Sequence, residues 1–431
     1  MTGYLGSRGP HESIARGYRI ISGCSRLDVP PACWAGRIPL TWLERPPRRI
    51  QNGDDAVIID NWPLHRIGAP IDVGSYDEQA TVASACDGPA AGSPEQRLRA
   101  QDLDGLDAEI MFTDPYAPVF LGMVERQDRA NAEMMYAHPI FAGFWRGVRE
   151  DERYRACVHA YNEFLAEDYC ASCPSRLIGI GVIPDTGVDD AIREMENCAG
   201  RRLRGVALHR FPSGRGYPTP EDDRFWEAAI DIDMPISFLP DRGRSTLRQA
   251  GAPFQYPPQR VDSLEKRDPV TLLPGFVGSH PIAPLQLAYA GVFDRFPQLR
   301  IYFAEWQPGW PPDPVSRVDE NYEQKRYWGG RSRGSEPMTH RPSFYLQTHC
   351  IWSFLNDPHV VARRDEIGVG HLVWGNGFAR ATGDWPHPVN VIGGCFAGVP
   401  EDERHRMLAA NVIDFFHWKE EASDSEVSEG E

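Results

Sequence analysis

Side chains that can bind an anion or move a proton stand at the ends of several predicted strands. Glu305 ends one strand, and its carboxylate could serve as a general acid or base. His209 and His349 end two others, and an imidazole exchanges protons near neutral pH. Arg26 and Arg380 could together clamp a carboxylate or a phosphate. These residue types predict acid–base chemistry on a small acidic compound.

Three further residues complete the set of predicted substrate contacts. Cys24 precedes Arg26 on the first strand, His280 lies in a loop that could fold over the pocket, and Asp384 follows the last strand. A structural interpretation competes with each role. Glu305 could simply pair with an arginine, because a buried carboxylate needs a partner. A lone histidine at a strand end is often a hydrogen-bonded structural residue.

The elements that position these residues follow a repeated order of short apolar strand and helix. The last strand stops at Gly375-Asn-Gly377, a sharp turn that would face a pocket. Eight such units predict an α/β fold, a (β/α)8 TIM barrel, although a doubly wound sheet has the same local pattern. The predicted strands are Tyr18–Ser22, Ala108–Thr113, Leu177–Ile183, Gly205–His209, Pro235–Leu239, Arg300–Glu305, Phe344–His349 and His371–Trp374.

Two long polar insertions interrupt this order, after strand one and after strand five. We predict a flexible leader at 1–16 and a barrel over 17–418 that carries the insertions at 34–93 and 241–270. The first insertion contains a small hairpin near Asp55. Insertions of this size usually act as lids or subunit contacts. The acidic tail at 419–431 has too little apolar surface to fold and is predicted to be disordered.

Charge and composition exclude some classes of function. The chain has 431 residues, with 45 Lys and Arg against 61 Asp and Glu, a net charge of −16 that argues against a nucleic-acid partner. No apolar run reaches the roughly 20 residues that span a bilayer. The 9 Cys are scattered, which fits reduced thiols, and no secretory signal is visible. We therefore expect a cytoplasmic protein.

Several stretches together resemble the amidohydrolase-related family of metal-dependent hydrolases and decarboxylases. The stretch from Ile21 to Pro31 is similar to the family's first-strand motif Ile-Ser-Ala-Asp-Ser-His-Val-Val-Glu-Pro-Pro. Phe303-Ala-Glu-Trp-Gln-Pro-Gly-Trp310 resembles its Phe-Ala-Glu-Gly-Gln-x-Gly-Trp, and Trp374-Gly-Asn-Gly-Phe-Ala-Arg380 its Trp-Gly-Ser-Asp-Tyr/Phe-Pro-His. The resemblance runs from about Tyr18 to Trp418 and implies the barrel fold.

The resemblance also implies a divalent ion, held by the first-strand pair, a His ending strand five and the Asp of strand eight. Those positions here are Cys24 with Arg26, Leu239, and Gly377. Arginine has no lone pair to donate, and its charge repels a metal. We therefore predict that no metal and no other cofactor is bound.

The predicted function is a non-catalytic pseudoenzyme subunit. Because family members are usually dimers, we expect it to pair with an intact, active paralogue. The alternative is a metal-independent hydrolase, decarboxylase or cyclase that acts on a small carboxylated or carbonyl compound. A third possibility is a relocated metal whose ligands come from the following five residues: His209, Glu305, His349, Asp384 and His387.

Overall fold

The computed structural model describes residues 19–27, 34–39, 48–52, 54–58, 65–66, 93–113, 151–214, 218–239, 282–304, 319–320, 322–323, 338–378 and 388–418. The predicted leader, the second insertion and the acidic tail all lie outside these ranges. Their predicted roles therefore stay predictions.

Strands occur from one end of the described chain to the other, and most are short. They are β1 (Ile21–Leu27), β2 (Arg48–Asn52), β3 (Asp54–Ile58), β4 (His65–Arg66), β5 (Ala108–Thr113), β6 (Leu177–Gly179), β7 (Gly181–Val182), β8 (Val206–Leu208), β9 (Ile236–Phe238), β10 (Ile301–Phe303), β11 (Cys350–Phe354) and β12 (Leu372–Trp374).

Eight parallel staves form the predicted barrel, where a stave is one strand of the barrel wall or two consecutive strands that continue each other. The order β1, β5, β6 continues through β7, β8, β9, β10, β11 to β12. The strands β6 and β7 are one stave, because the intervening Ile180 N–H donates to the Met111 carbonyl at 3.0 Å. The first and last staves meet where Gly377 N–H donates to the Cys24 carbonyl at 3.0 Å. This closure confirms the (β/α)8 barrel over the doubly wound sheet.

The first insertion contributes a separate antiparallel sheet. β3 lies between β2 and β4, and Gln51 pairs with Asp55 near the turn. The hairpin predicted near Asp55 is therefore present.

Helices separate the staves, and none that is described is long and apolar enough to cross a membrane. They are α1 (Pro94–Asp104), α2 (Asp151–Phe164), α3 (Val188–Gly200), α4 (Asp223–Asp231), α5 (Ile282–Tyr289), α6 (Val292–Arg295), α7 (Pro342–His349), α8 (Pro358–Ala362), α9 (Arg364–Ile367), α10 (Pro388–Cys395), α11 (Glu401–His405) and α12 (Asn411–Phe415).

One predicted strand is wrong. The segment Phe344–His349 lies in α7, and the seventh stave is the following β11. Pro342 stands at the start of this helix, where its fixed φ and missing N–H are tolerated. Its buried residues Pro342, Tyr345, Leu346 and His349 follow helical spacing. The run of strand-favouring residues at 344–346, Phe-Tyr-Leu, hid that spacing.

Aromatic rings fill the barrel interior. The Tyr302 ring is 6.2 Å from Phe112 and about as close to Phe415 and Phe416 of the C-terminal segment, at 5.4 and 5.3 Å. Its hydroxyl donates to the Gly23 carbonyl at 2.7 Å. A side chain on Gly23 would place its Cβ 2.2 Å from Val373 Cγ1, so this stave requires glycine. The interior is thus a packed core.

Candidate functional site

Arg26 lies near the carboxyl end of β1, at the end of the barrel that we call the mouth. Only 2 % of its surface is exposed. Its Nη1 donates to the Thr113 carbonyl at 3.1 Å, and its backbone N–H donates to the Phe378 carbonyl. The guanidinium is therefore held between β1, the end of β5 and the segment after β12. A fixed positive charge stands at the mouth.

Cys24 belongs to the packed interior. Its side chain is fully buried in an apolar cluster that includes Ile110, Ile178 and Leu239. Its backbone carbonyl accepts the hydrogen bond that joins the first and last staves. Cys24 therefore lies two residues before Arg26 on β1, with its side chain in the packed interior.

His209 follows β8 and lies close enough to Arg26 for the arginine's charge to act on its imidazole. Burial, and then the positive charges of Arg26 and Arg210, lower the pKa of His209 to about 3. Its imidazole is therefore neutral at pH 7 and offers one donor and one acceptor nitrogen. A group with this pKa is a weak general base, because proton transfer is most efficient when the pKa is near the working pH.

Sequence reasoning missed a second arginine at this end of the barrel. Arg210 is adjacent to His209, and its Nη1 lies 3.5 Å from Oδ2 of Asp185, which follows β7. Both side chains are largely buried, with 11 % and 6 % of their surfaces exposed. The order Leu-His-Arg after a strand is a signal that could have identified it.

His349 does not join these residues. It stands immediately before β11, at the amino end of that stave, whereas Arg26 and His209 stand at carboxyl ends. Its Nδ1 is 2.8 Å from the Leu299 carbonyl, its ring stacks on Phe293, and burial lowers its pKa. It also lines a surface cavity of about 520 Å³ on its own side of the barrel. The segment that was predicted as a strand ending at His349 is a helix, so His349 does not reach the mouth.

Five other residues singled out from the sequence lie outside the described ranges. They are Glu305, Arg380, His280, Asp384 and His387. Their proposed contacts remain predictions.

A buried carboxylate that sequence reasoning also missed lies behind the mouth. Glu109 on β5 is 1 % exposed. Its Oε2 accepts from Arg97 Nε at 2.6 Å and from Gln101 Nε2 at 2.9 Å. Its Oε1 is 3.0 Å from Ser25 Oγ and 3.3 Å from Asn376 Nδ2. A Glu inside an otherwise apolar strand was the available signal.

Asn376 extends this network to the turn that ends the last stave. Its Oδ1 lies 2.8 Å from Ser22 Oγ and 2.9 Å from Ser25 Oγ, and it accepts from Phe378 N–H at 3.0 Å. Asn376 is fully buried. The turn predicted at Gly375–Gly377 is therefore fixed by side chains of β1.

The described residues do not fit the metal that the family implies. Cys24 is enclosed by apolar groups, Arg26 is a cation, Leu239 is buried and apolar, and Gly377 has no side chain. Within the ranges given above, no three His, Cys, Asp or Glu side chains come close enough to hold an ion. The side chains at these positions are therefore unsuited to a divalent ion.

A family model described as amidohydrolase matches residues 127–418 of the chain. A curated relative, Decarboxylase orsB of Emericella nidulans, is 24% identical over 238 residues, 54% of this chain and 66% of the relative. The aligned part thus spans slightly less than two thirds of that relative.

Solved structures share the fold over almost the whole chain. The 5-carboxyvanillate decarboxylase LigW of Sphingomonas paucimobilis is 16% identical, with a TM-score of 0.59 and coverage of 93% of this chain and 99% of that one. The amidohydrolase map2389c of Mycobacterium avium subsp. paratuberculosis K-10 has 16% identity, a TM-score of 0.63, and 93% and 98% coverage. A 2,6-dihydroxybenzoate decarboxylase from Rhizobium has 16% identity, a TM-score of 0.56, and 93% and 99% coverage. With the family model matched over most of its length, the chain belongs to the amidohydrolase family.

Proposed function

We propose that this protein is a metal-free amidohydrolase-fold subunit that binds a small carboxylic acid at the mouth and pairs with an active paralogue. The observation that carries the proposal is Arg26. Its guanidinium occupies a first-strand position at which the family resemblance implies a metal ligand.

The electrostatics of the mouth support an anion in preference to a cation. The positive charges of Arg26 and Arg210 contribute to the low pKa of His209. The same potential opposes a divalent ion and favours a carboxylate. A guanidinium also matches the planar geometry of a carboxylate.

The relatives support the class of ligand. The similar solved structures include a 5-carboxyvanillate decarboxylase and a 2,6-dihydroxybenzoate decarboxylase. Both compounds are small aromatic carboxylic acids. We therefore propose an aromatic carboxylate as the ligand, bound without a metal.

Metal analysis tests the absence of the family's ion. Protein purified without chelators, then supplemented with Mn or Zn, is expected to carry far less than one metal per chain, because Arg26 repels a cation and has no lone pair to donate to it. Elemental mass spectrometry measures this ratio. Near-stoichiometric metal would contradict the proposal and support relocated ligands.

Replacing Arg26 with Met is expected to weaken binding of 2,6-dihydroxybenzoate about 10- to 100-fold, because a charge-assisted hydrogen bond is lost. Isothermal titration calorimetry measures the affinity. Arg224→Met is the control, since the Arg224 side chain is 60% exposed on α4. Equal affinities for wild type and Arg26→Met would exclude Arg26 as the anion-binding group.

Pairing is tested by co-expression. The proposed subunit should co-purify with an intact amidohydrolase paralogue from the same source and raise the activity or stability of that paralogue. Absence of any association would exclude the subunit role while leaving acid binding intact.

The second candidate function is metal-independent decarboxylation, favoured by the decarboxylases among the relatives. In this reaction the bond from the ring to the carboxylate breaks, CO₂ leaves, and a proton replaces it on the ring carbon. Glu305 is the proposed proton donor and Arg26 the group that orients the acid. Release of CO₂ in the presence of EDTA, abolished by Glu305→Gln and by Arg26→Ala, would establish this function. No release would exclude it for the acid tested.

A further inference from the structure

Helix α1 turns its polar face inward. Its buried residues are Arg97, Ala100, Gln101 and Asp104, whereas Leu103 is 89% exposed. The helix is nevertheless well defined, because Ser93 and Gln96 form a capping box and Gly105 ends it with a positive φ. A helix that buries charges and exposes leucine is not placed by apolar packing alone. Its position depends on what the buried charges contact.

Arg97 contacts three separate parts of the barrel wall. Its Nε donates to Glu109 on β5 at 2.6 Å, and its Nη1 donates to the Arg26 carbonyl at 3.0 Å. The face of the guanidinium lies over the Phe378 ring, with the central carbon 4.3 Å from the ring centroid. Arg26 and Phe378 are joined to each other by a backbone hydrogen bond. One fully buried side chain therefore holds the ends of both the first and the last stave.

We propose that Arg97 is a positioning residue that sets the orientation of Arg26 and thereby the affinity of the mouth for a carboxylate. This inference rests on the proposed function. Arg97 does not touch the ligand and acts through the backbone of Arg26 and the ring of Phe378.

Lysine cannot reproduce these contacts. A planar guanidinium donates in two directions and stacks on a ring at the same time, whereas an ammonium is a point charge without a face. Lysine could keep the ion pair with Glu109 but would lose either the Arg26 carbonyl or the Phe378 ring. Because a displacement of about 1 Å weakens a positioned contact strongly, the loss should appear in ligand affinity.

Gln101 provides a matched control on the same helix. Its Nε2 donates to the same Glu109 oxygen as Arg97 Nε, at 2.9 Å. The hydrogen bonds described for Gln101 do not include Arg26 or Phe378. Gln101→Leu should therefore lower stability without moving the mouth.

The test compares binding of 2,6-dihydroxybenzoate by calorimetry in the wild type, Arg97→Lys and Gln101→Leu, with the thermal midpoint measured for each. Arg97→Lys is expected to weaken binding about 10-fold. Gln101→Leu should bind within about twofold of wild type, although its midpoint falls. In an Arg26→Met background, Arg97→Lys should have no further effect on affinity.

A second variant covers failure of Arg97→Lys to fold. Phe378→Leu removes the ring under the guanidinium and leaves Glu109 untouched, and it should also weaken binding. The inference is overturned if Arg26→Met binds the acid more weakly than wild type, whereas the folded Arg97→Lys and Phe378→Leu proteins bind it as wild type does. If the wild type binds no acid, the proposed function fails and this inference fails with it.

Discussion

Replacing Glu109 with Gln is expected to lower the free energy of unfolding by about 3–5 kcal/mol, as is typical when one partner of a buried ion pair is removed. Arg97 is fully buried, and Glu109 is the carboxylate it contacts at 2.6 Å. Glutamine keeps the shape but leaves the guanidinium in the interior without its compensating charge. Urea denaturation of both proteins at pH 7 measures the difference.

An exposed pair of the same chemistry is the control for this effect. Asp189 and Arg224 lie 2.7 Å apart, but their side chains are 72% and 60% exposed. Asp189→Asn should cost less than about 1 kcal/mol, because water screens both charges. If Glu109→Gln also costs less than this, the buried network does not hold α1 against the barrel.

Asp104→Asn is expected to stabilise the protein above pH 7. Burial, and then the negative charge of Glu109, raise the pKa of Asp104 to about 7, while Arg97 opposes the shift. The ordinary value is 3.8, so between these two pH values the folded protein binds more protons than the unfolded chain. Stability from this group is present below about pH 4 and falls as pH rises towards 7.

The contribution of Asp104 to the free energy of unfolding falls by about 4 kcal/mol over this pH range, because its pKa differs by about three units between the folded and unfolded protein. Asparagine cannot ionise, so the variant should match wild type near pH 4 and exceed its stability at pH 8. Urea denaturation at both pH values measures the change. Asp231→Asn, at an exposed end of α4, should keep the pH dependence of wild type. A variant of Asp104 with unaltered pH dependence would show that this carboxyl is ionised in the folded protein.

The two candidate functions make different demands on the same mouth. A non-catalytic subunit needs only the fixed charge of Arg26 and a shape that admits an aromatic acid. Metal-independent decarboxylation also needs a proton donor, and His209 is neutral with a pKa of about 3. The neutral imidazole keeps only its N–H proton, and that proton is held too tightly to be donated readily. Any proton would therefore come from another group, for which Glu305 is the proposed residue.

The sequence alone determined the repeated order of strand and helix, except at the seventh strand, and the family resemblance. β5 was predicted with its observed bounds. The sequence also predicts helices at 94–106 and 188–198, and α1 and α3 begin where predicted and end within two residues of those bounds. These elements have clear local signals: a proline and a capping box at the start of α1, and strand residues bounded by polar turns around β5. Residue types alone also predicted that Cys24, Arg26, Leu239 and Gly377 stand where the family resemblance implies metal ligands.

Only the tertiary structure showed which of these residues meet. His349 was predicted at the mouth but stands at the amino end of its stave, because residues 342–349 bury a helical face against the barrel. The Glu109 network joins residues more than 260 positions apart in sequence, as in the contact with Asn376. No local pattern encodes such a contact. It exists because closing the barrel brings the first and last staves together, and burial then leaves each polar group only its neighbours in space as partners.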